Sequence, residues 1–150
     1  MAIRVEHRIG VAAPAEVIWT LVFDVERWPT WNPLYTEARG KIAIGDTLQL
    51  TESLPGRRPR AIQPVVVDWE PSAQIVWRTG GLLSKTVRYI EIEALSETGC
   101  IFANGAFFHG MMGEQEAKGG RRALFGGYEQ FGEAVKRLSE QAWREPAAAR

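Results

Sequence analysis

The sequence predicts an α+β domain in which an antiparallel sheet packs against one long carboxy-terminal helix. Three patterns support this: alternating apolar segments joined by short turns, a continuous apolar stripe in the last third of the chain, and one short helical segment near the amino terminus. Connections this short favour antiparallel pairing, because parallel strands need long crossovers. The chain has 150 residues and 45% hydrophobic composition, which suit one domain. We expect that domain over 1–145 and a disordered tail over 146–150.

The chain begins with a predicted strand and a short helix. Ile3, Val5, His7 and Ile9 alternate with charged residues, which is the period of a half-buried strand. A helix is then expected from Pro14, because proline is tolerated at the first helical position and the following Glu16 suits the positive end of the helix dipole.

The segment Trp28–Pro33 ends that helix. Its two prolines break helical geometry, and its two tryptophans lie three residues apart, so a tight corner carries two large apolar anchors. We expect these indoles to belong to the scaffold and to close one end of the domain.

The middle of the chain predicts strands. Alternating apolar residues indicate a hairpin over 42–50 around Gly45-Asp46, strands over 62–69 and 74–79, and a long hairpin over 86–109 that turns at 96–99. The segment 110–120 is rich in glycine and contains Met111 and Met112. We interpret it as a connection, which is either plain or a mobile entrance to a pocket.

The last third predicts a long amphipathic helix that ends before Pro146. Its apolar stripe follows helical spacing and comprises Leu124, Tyr128, Phe131, Val135, Leu138 and Ala142.

Composition excludes several classes of function. Lys plus Arg and Asp plus Glu both number 18, so no net positive charge favours nucleic acid. Arg57, Arg58 and Arg60 form one basic cluster, which we interpret as a solvated hairpin tip rather than a phosphate site. One cysteine, Cys100, and two histidines offer no disulfide and no metal-ligand spacing. We therefore expect a cytoplasmic monomer or homodimer with no cofactor, no metal and no membrane insertion.

Four segments together resemble the START-like (SRPBCC) superfamily, which includes polyketide cyclases and Bet v 1-type proteins. They are Ala13–Trp19, Trp28–Pro33, Pro64–Pro71 and Ile75–Arg78. The resemblance covers nearly the whole chain. It implies a helix-grip fold, with a curved antiparallel sheet of about seven strands around the long helix and two short helices after the first strand. It also implies a cavity between sheet and helix for a hydrophobic or amphipathic small molecule.

Seven residues are candidates for the cavity lining: Trp19, Arg88, Asn104, Phe108, Leu124, Tyr128 and Phe131. Two of them, Asn104 and Phe108, lie on the last strand. Both faces of that strand are largely apolar, and the resemblance favours the face of Phe102, Asn104 and Phe108 as the inner one. A lone amide among aromatic rings needs partners. Asn104 therefore either orients a ligand or bonds a neighbouring side chain or a structural water.

The other candidates lie on the preceding strand and the helices. Arg88 shares a phase with Ile90 and Ile92, so it either meets a carboxylate or enolate in the cavity or extends its guanidinium back to solvent. Leu124, Tyr128 and Phe131 occupy the half of the long helix that borders the cavity according to the resemblance. Tyr128 is the best candidate for a hydrogen bond to a ligand, although such a stripe also suits plain core. Trp19 completes the set.

Three hypotheses for function follow. The first is a protein that binds a hydrophobic or amphipathic small molecule in the cavity. The second is a polyketide cyclase or aromatase in which Arg88, Asn104 and Tyr128 hold the substrate by position alone, because no catalytic triad is recognisable. The third is a chaperone-regulating interaction module that acts through its outer surface.

Overall fold

The computed structural model describes residues 2–145, so the predicted tail over 146–150 lies outside the described residues. Two helices and a 3₁₀-helix accompany the strands: α1 (Ala15–Phe23), the 3₁₀-helix (Val25–Thr30) and α2 (Gly110–Arg144). The strands are β1 (Ala2–Val11), β2 (Tyr35–Arg39), β3 (Gln49–Glu52), β4 (Arg60–Ile62), β5 (Val65–Glu70), β6 (Gln74–Gly80), β7 (Lys85–Ser96) and β8 (Gly99–His109).

The strands form two antiparallel sheets. The larger sheet has the order β1-β8-β7-β6-β5, and the smaller one has the order β2-β3-β4. The sheets meet where Thr47 bridges Val65 and the Gly45 amide donates to the Val66 carbonyl at 2.8 Å. Helix α2 packs against β1, β7 and β8. This is the predicted α+β helix-grip fold, with two short helical segments after the first strand.

The hairpin predicted over 42–50 is wrong. Within the described residues there are eight strands, and β3 pairs with β2 and β4 instead of with 42–44. Ile42 is buried but Ile44 is 65% exposed, so the two isoleucines do not form one inward face. Alternation alone did not identify the pairing partner, which here is set by Tyr35 and Ala38 of β2 entering the core.

The connection predicted over 110–120 is also wrong, because this segment forms the first turns of α2. Glycine costs about 1 kcal/mol per residue in a helix relative to alanine. Tertiary contacts stabilise the helix here: Gly110 adopts φ +82°, which lets the backbone approach Leu83 closely, and the Met112 amide donates to the Leu83 carbonyl at 3.1 Å. The glycine content of the segment therefore did not indicate this helix.

The tryptophan-proline corner anchors the core. Trp28 is fully buried, and its indole N–H donates to the Val22 carbonyl at 3.0 Å. Its ring stacks on Tyr35 at 5.1 Å between centroids and meets Phe131 of α2 edge-on at 5.7 Å. The corner thus joins α1 to the small sheet and to α2, in the scaffold role expected for it.

A close approach between β1 and β8 makes Gly105 sensitive to substitution. A Cβ there would lie 2.3 Å from the Val5 carbonyl oxygen, whereas a Cβ on Gly10 would have no neighbour within 4 Å. We expect Gly105→Ala to lower the free energy of unfolding by about 1–3 kcal/mol. Gly10→Ala, the matched control, should change it by less than about 0.5 kcal/mol. Urea denaturation measures both, and equal effects would contradict the packing described here.

Candidate functional site

Aromatic rings fill the space between the large sheet and α2. Seven of the largest fully buried side chains are aromatic: Trp28, Trp77, Tyr35, Tyr128, Phe102, Phe108 and Phe131. Phe131 lies near the centre, with ring centroids 5.6 Å from Phe102 and 6.1 Å from Tyr35. A polar or charged group placed among these rings therefore requires a partner or a function.

A buried ion pair lies within this aromatic interior. The Arg88 Nε atom donates to Glu52 Oε2 at 3.0 Å, and its Nη2 donates to Oε1 at 3.3 Å. The remaining Nη1 donates to the Thr79 hydroxyl at 2.9 Å. Only 3% of the Arg88 side chain and 1% of the Glu52 side chain are exposed. Since Glu52 lies on β3 and Arg88 on β7, the pair joins the two sheets.

Both members of the pair are held in their charged forms. Burial acts to raise the pKa of Glu52, but the charges and hydrogen bonds of Arg88 and Arg60 together outweigh burial, and the net pKa is lowered. Burial likewise acts to lower the pKa of Arg88, and the charge and hydrogen bonds of Glu52, with smaller contributions from Tyr35 and Tyr128, reverse this, so the net pKa is raised. The site therefore presents a fixed carboxylate and a fixed guanidinium at neutral pH.

Two tyrosines and a tryptophan surround the pair. Tyr35 pairs in register with Glu52 across β2 and β3. Burial, followed by the negative charge of Glu52, raises the pKa of both Tyr35 and Tyr128, so both hydroxyls stay protonated. Within the described chain, the Tyr128 hydroxyl is buried without a hydrogen-bond partner. The Trp77 indole is a side-chain hydrogen-bond partner of Tyr35, which leaves the Tyr128 hydroxyl as the uncommitted donor of this group.

A pocket of about 430 Å³ leads from the surface to Glu52. It lies between the loop 53–60 and the first half of α2, and it is lined by Glu52, Leu54, Arg57, Arg58, Arg60, Gln115, Glu116, Gly119, Gly120 and Leu124. The Arg60 Nη2 atom lies 3.1 Å from both Glu52 Oε1 and Glu116 Oε2. Arg57 Nη2 donates to the Gly119 carbonyl at 3.3 Å. The arginine cluster therefore lies on the exposed tip of the β3–β4 hairpin, as predicted, and this tip also forms the rim of the pocket.

The structure brings most of the predicted lining residues together. Arg88 does not extend to solvent, because Glu52 binds it in the interior. Asn104 donates through Nδ2 to the Tyr128 carbonyl at 2.9 Å, while its Oδ1 has no partner among residues 2–145. The buried face of β8 turned toward α2 is the predicted one, with Phe102, Asn104 and Phe108. Phe131 is central, and Leu124 lines the pocket one helical turn from Tyr128.

Trp19 is placed elsewhere. Its ring stacks on Trp69 of the edge strand β5 at 6.1 Å and lies 5.2 Å from Phe23. Ile18 and Val22 occupy the buried face of α1, so Trp19 lies on another face of this helix and packs with Phe23 and Trp69. The structure therefore does not place Trp19 beside Arg88 and Tyr128.

Glu52 and the residues that contact the Glu52–Arg88 ion pair were not predicted from the sequence. A signal for Glu52 existed, because it shares the inward phase of Leu48 and Leu50. Trp77 likewise shares the phase of Ile75. Thr79 offered no such signal, because its role depends on a contact with Arg88 across the sheet.

Across residues 2–145, no group of three or more His, Cys, Asp and Glu side chains is arranged to hold a metal ion. Over the same range, no helix combines the length and apolar character needed to cross a membrane.

Comparisons with known proteins agree with this architecture. Residues 2–140 match the family described as polyketide cyclase / dehydrase and lipid transport. The fold is similar to the ZhuI aromatase/cyclase from Streptomyces sp. R1128, with a TM-score of 0.77, 17% identity, and coverage of 99% of this chain and 98% of that one. It is similar to norcoclaurine synthase from Thalictrum flavum (TM-score 0.70, 17% identity, 97% and 90% coverage). A START superfamily protein from Mycobacterium smegmatis gives a TM-score of 0.66 at 22% identity, with 93% and 98% coverage. The sequence has no match among curated proteins.

The ion pair predicts strong coupling between its members. Glu52→Leu leaves the Arg88 charge buried and uncompensated, which we expect to cost about 3–5 kcal/mol of unfolding free energy. Arg88→Met should cost less, because Arg60 still pairs with Glu52. The double variant should be more stable than the sum of the single effects implies, by at least about 1 kcal/mol. A double-mutant cycle by urea denaturation measures this, and purely additive costs would show that the pair is not coupled.

Proposed function

The chain belongs to the polyketide cyclase / dehydrase and lipid transport family, and on that basis we propose that it binds a hydrophobic or amphipathic small molecule through the pocket at Glu52. The observation that carries this proposal is a surface pocket whose floor is a buried carboxylate, paired in the interior with Arg88. A buried ion pair is seldom the most stable filling for an apolar core. Its position at the end of a pocket therefore favours a role in recognition.

The lining suggests how a ligand would be held. Leu54 and Leu124 offer apolar walls, and the arginine rim offers cations to a polar or anionic head group. A ligand could pass beyond Glu52 only if the Arg60 side chain moved, since Arg60 donates a hydrogen bond to the Glu52 carboxylate from the pocket side. The Tyr128 hydroxyl then provides a donor for a carbonyl or hydroxyl group that reaches the interior.

A second candidate function is cyclisation or aromatisation of a polyketide. The unpartnered Tyr128 hydroxyl favours it, because an uncommitted donor in an aromatic interior would hold a keto group in place. Arg88 is a weaker stabiliser of an enolate than the sequence analysis assumed, because Glu52 already neutralises it. Ligand binding is therefore the first proposal, and we propose a cytoplasmic monomer or homodimer as its setting.

The pocket can be blocked at one position. A Cβ on Gly120 would meet only van der Waals neighbours, Leu124 at 3.7 Å and Arg57 at 3.8 Å, so a larger side chain there would extend into the pocket. We expect Gly120→Phe to weaken binding of 1-anilinonaphthalene-8-sulfonate, an aromatic anion, by about tenfold or more, which corresponds to about 1.4 kcal/mol. Fluorescence titration of the probe provides the measurement.

Lys118→Phe is the matched control, because Lys118 is exposed on the same helix and does not line the pocket. It should leave the dissociation constant within about twofold. Equal affinity in the Gly120→Phe variant and the wild type would place the probe elsewhere and oppose the proposal.

The cyclase hypothesis has a separate test. If the interior donors position a substrate, a poly-β-keto thioester should be turned over by the wild type, and Tyr128→Phe should lower kcat by about tenfold or more. Product analysis by chromatography gives the rate. Turnover that Tyr128→Phe leaves unchanged would exclude the role assigned to the hydroxyl, while probe binding at the pocket would stand.

A further inference from the structure

An apolar tip lies beside the pocket, at the end of the molecule where α2 begins. It is formed by the β6–β7 turn and the first turn of α2, which are joined because the Met112 amide donates to the Leu83 carbonyl at 3.1 Å. Leu82 is fully exposed, and Leu83, Met111 and Met112 are each more than half exposed. We call these four residues the apolar tip. Apolar side chains grouped in this way on a protein surface mark an interaction site.

The backbone holds the tip in this position. Gly110 adopts φ +82°, and a Cβ at this residue would lie 2.5 Å from the Leu83 carbonyl oxygen. Only glycine therefore allows the start of α2 to approach the turn so closely. The four side chains accordingly form one surface built from two segments of the chain.

The segments that form the tip, the pocket rim and the first turns of α2 are together basic, although the whole chain has zero net charge. The segments 53–60, 81–85 and 110–122 contain seven lysines and arginines and two glutamates, which gives a local net charge of +5. The basic residues are Arg57, Arg58, Arg60, Lys85, Lys118, Arg121 and Arg122. The rest of the chain is correspondingly negative, so the charge of this end is hidden in the overall composition.

We propose that this end of the molecule docks on the surface of an anionic lipid bilayer, with the apolar tip inserted among the head groups and the basic residues against the lipid phosphates. The combination of a fully exposed leucine with surrounding cations is the chemistry that such a surface recognises. Arginine and lysine without interleaved exposed aromatic rings do not suit single-stranded nucleic acid. The docking is peripheral, since no described helix can span the bilayer.

This inference deepens the proposed function, because the tip is contiguous with the pocket rim. Met111 and Met112 precede Gln115 and Glu116 of the rim by one helical turn. A docked protein would therefore present its pocket to the membrane, and the ligand would be a lipid-soluble molecule taken from or delivered to the bilayer.

Vesicle sedimentation tests the docking without any ligand. Vesicles of phosphatidylcholine with phosphatidylserine in a molar ratio of about 7:3 should bind the wild-type protein, whereas vesicles of phosphatidylcholine alone should bind it about tenfold more weakly. Raising the salt concentration should weaken binding to the mixed vesicles, because the ions screen the basic residues. Equal binding to both vesicles, or none to either, would overturn the proposal.

A matched pair of variants localises the contact. Leu83 is 63% exposed at the tip, and Leu95 is 64% exposed at the other end of β7. The two lie about 40 Å apart along the strand direction. Leu83→Asp should lower vesicle binding by about tenfold, and Leu95→Asp should leave it unchanged. Equal losses in the two variants, or capture of an acidic protein by the tip without vesicle binding, would contradict membrane docking.

The same variants separate this inference from the proposed function. Binding of 1-anilinonaphthalene-8-sulfonate without vesicles should be retained by Leu83→Asp, because Leu83 does not line the pocket. Retained probe binding with no vesicle binding in the wild type would therefore refute the docking alone. Vesicle binding that persists in Gly120→Phe would show that docking does not depend on an open pocket.

Discussion

The salt bridge between Glu52 and Arg88 joins the two sheets inside the hydrophobic core that they share. Glu52 comes from the small sheet and Arg88 from the large one, and the Thr79 hydroxyl satisfies the remaining guanidinium nitrogen. Removing two ions from water costs several kcal/mol for each, and the cost is offset only while both are present with their hydrogen bonds. The aromatic rings around the two ions cannot replace either partner, so losing one ion leaves the other buried without compensation. Two charges kept in such an interior, at the floor of a pocket, are better explained by recognition than by stability.

The end of the molecule at which α2 begins combines several features in one place. Arg60 connects Glu52 to Glu116, so the charged interior continues to the rim of the pocket. The rim in turn continues into the apolar tip. Net charge and mean composition conceal this arrangement, because acidic residues elsewhere cancel the basic ones. The proposed binding of a small molecule relies on the pocket, and the proposed docking on a membrane relies on the apolar tip and the basic residues. The two surfaces are neighbours, but substitutions can change one without the other.

The sequence predicted the architecture much better than the site. Periods of two and of 3.6 residues identified the long strands and the second half of α2, because those patterns record burial directly. They also placed Arg88 on an apolar face. They did not reveal its partner, which is 36 residues away on a strand of the other sheet. The helix over 110–120 was not predicted for a related reason: its glycines oppose helix locally, and contacts that stabilise it, such as the bond from the Met112 amide to the Leu83 carbonyl, are made with another part of the chain.

The charged site formed by Glu52 and Arg88 requires Glu52 to be ionised in the interior. The pKa of its carboxyl group can be measured directly. Carboxyl ¹³C NMR across a pH titration, with the signal assigned by Glu52→Gln, reports this value. We predict a pKa below the ordinary 4.5, since burial is outweighed by the charges and hydrogen bonds of Arg88 and Arg60 together. The pair's contribution to stability would then be present above pH 4.5 and lost as the pH falls through the lowered pKa. A pKa at or above 4.5 would mean that burial prevails, and it would contradict the charged site proposed for this protein.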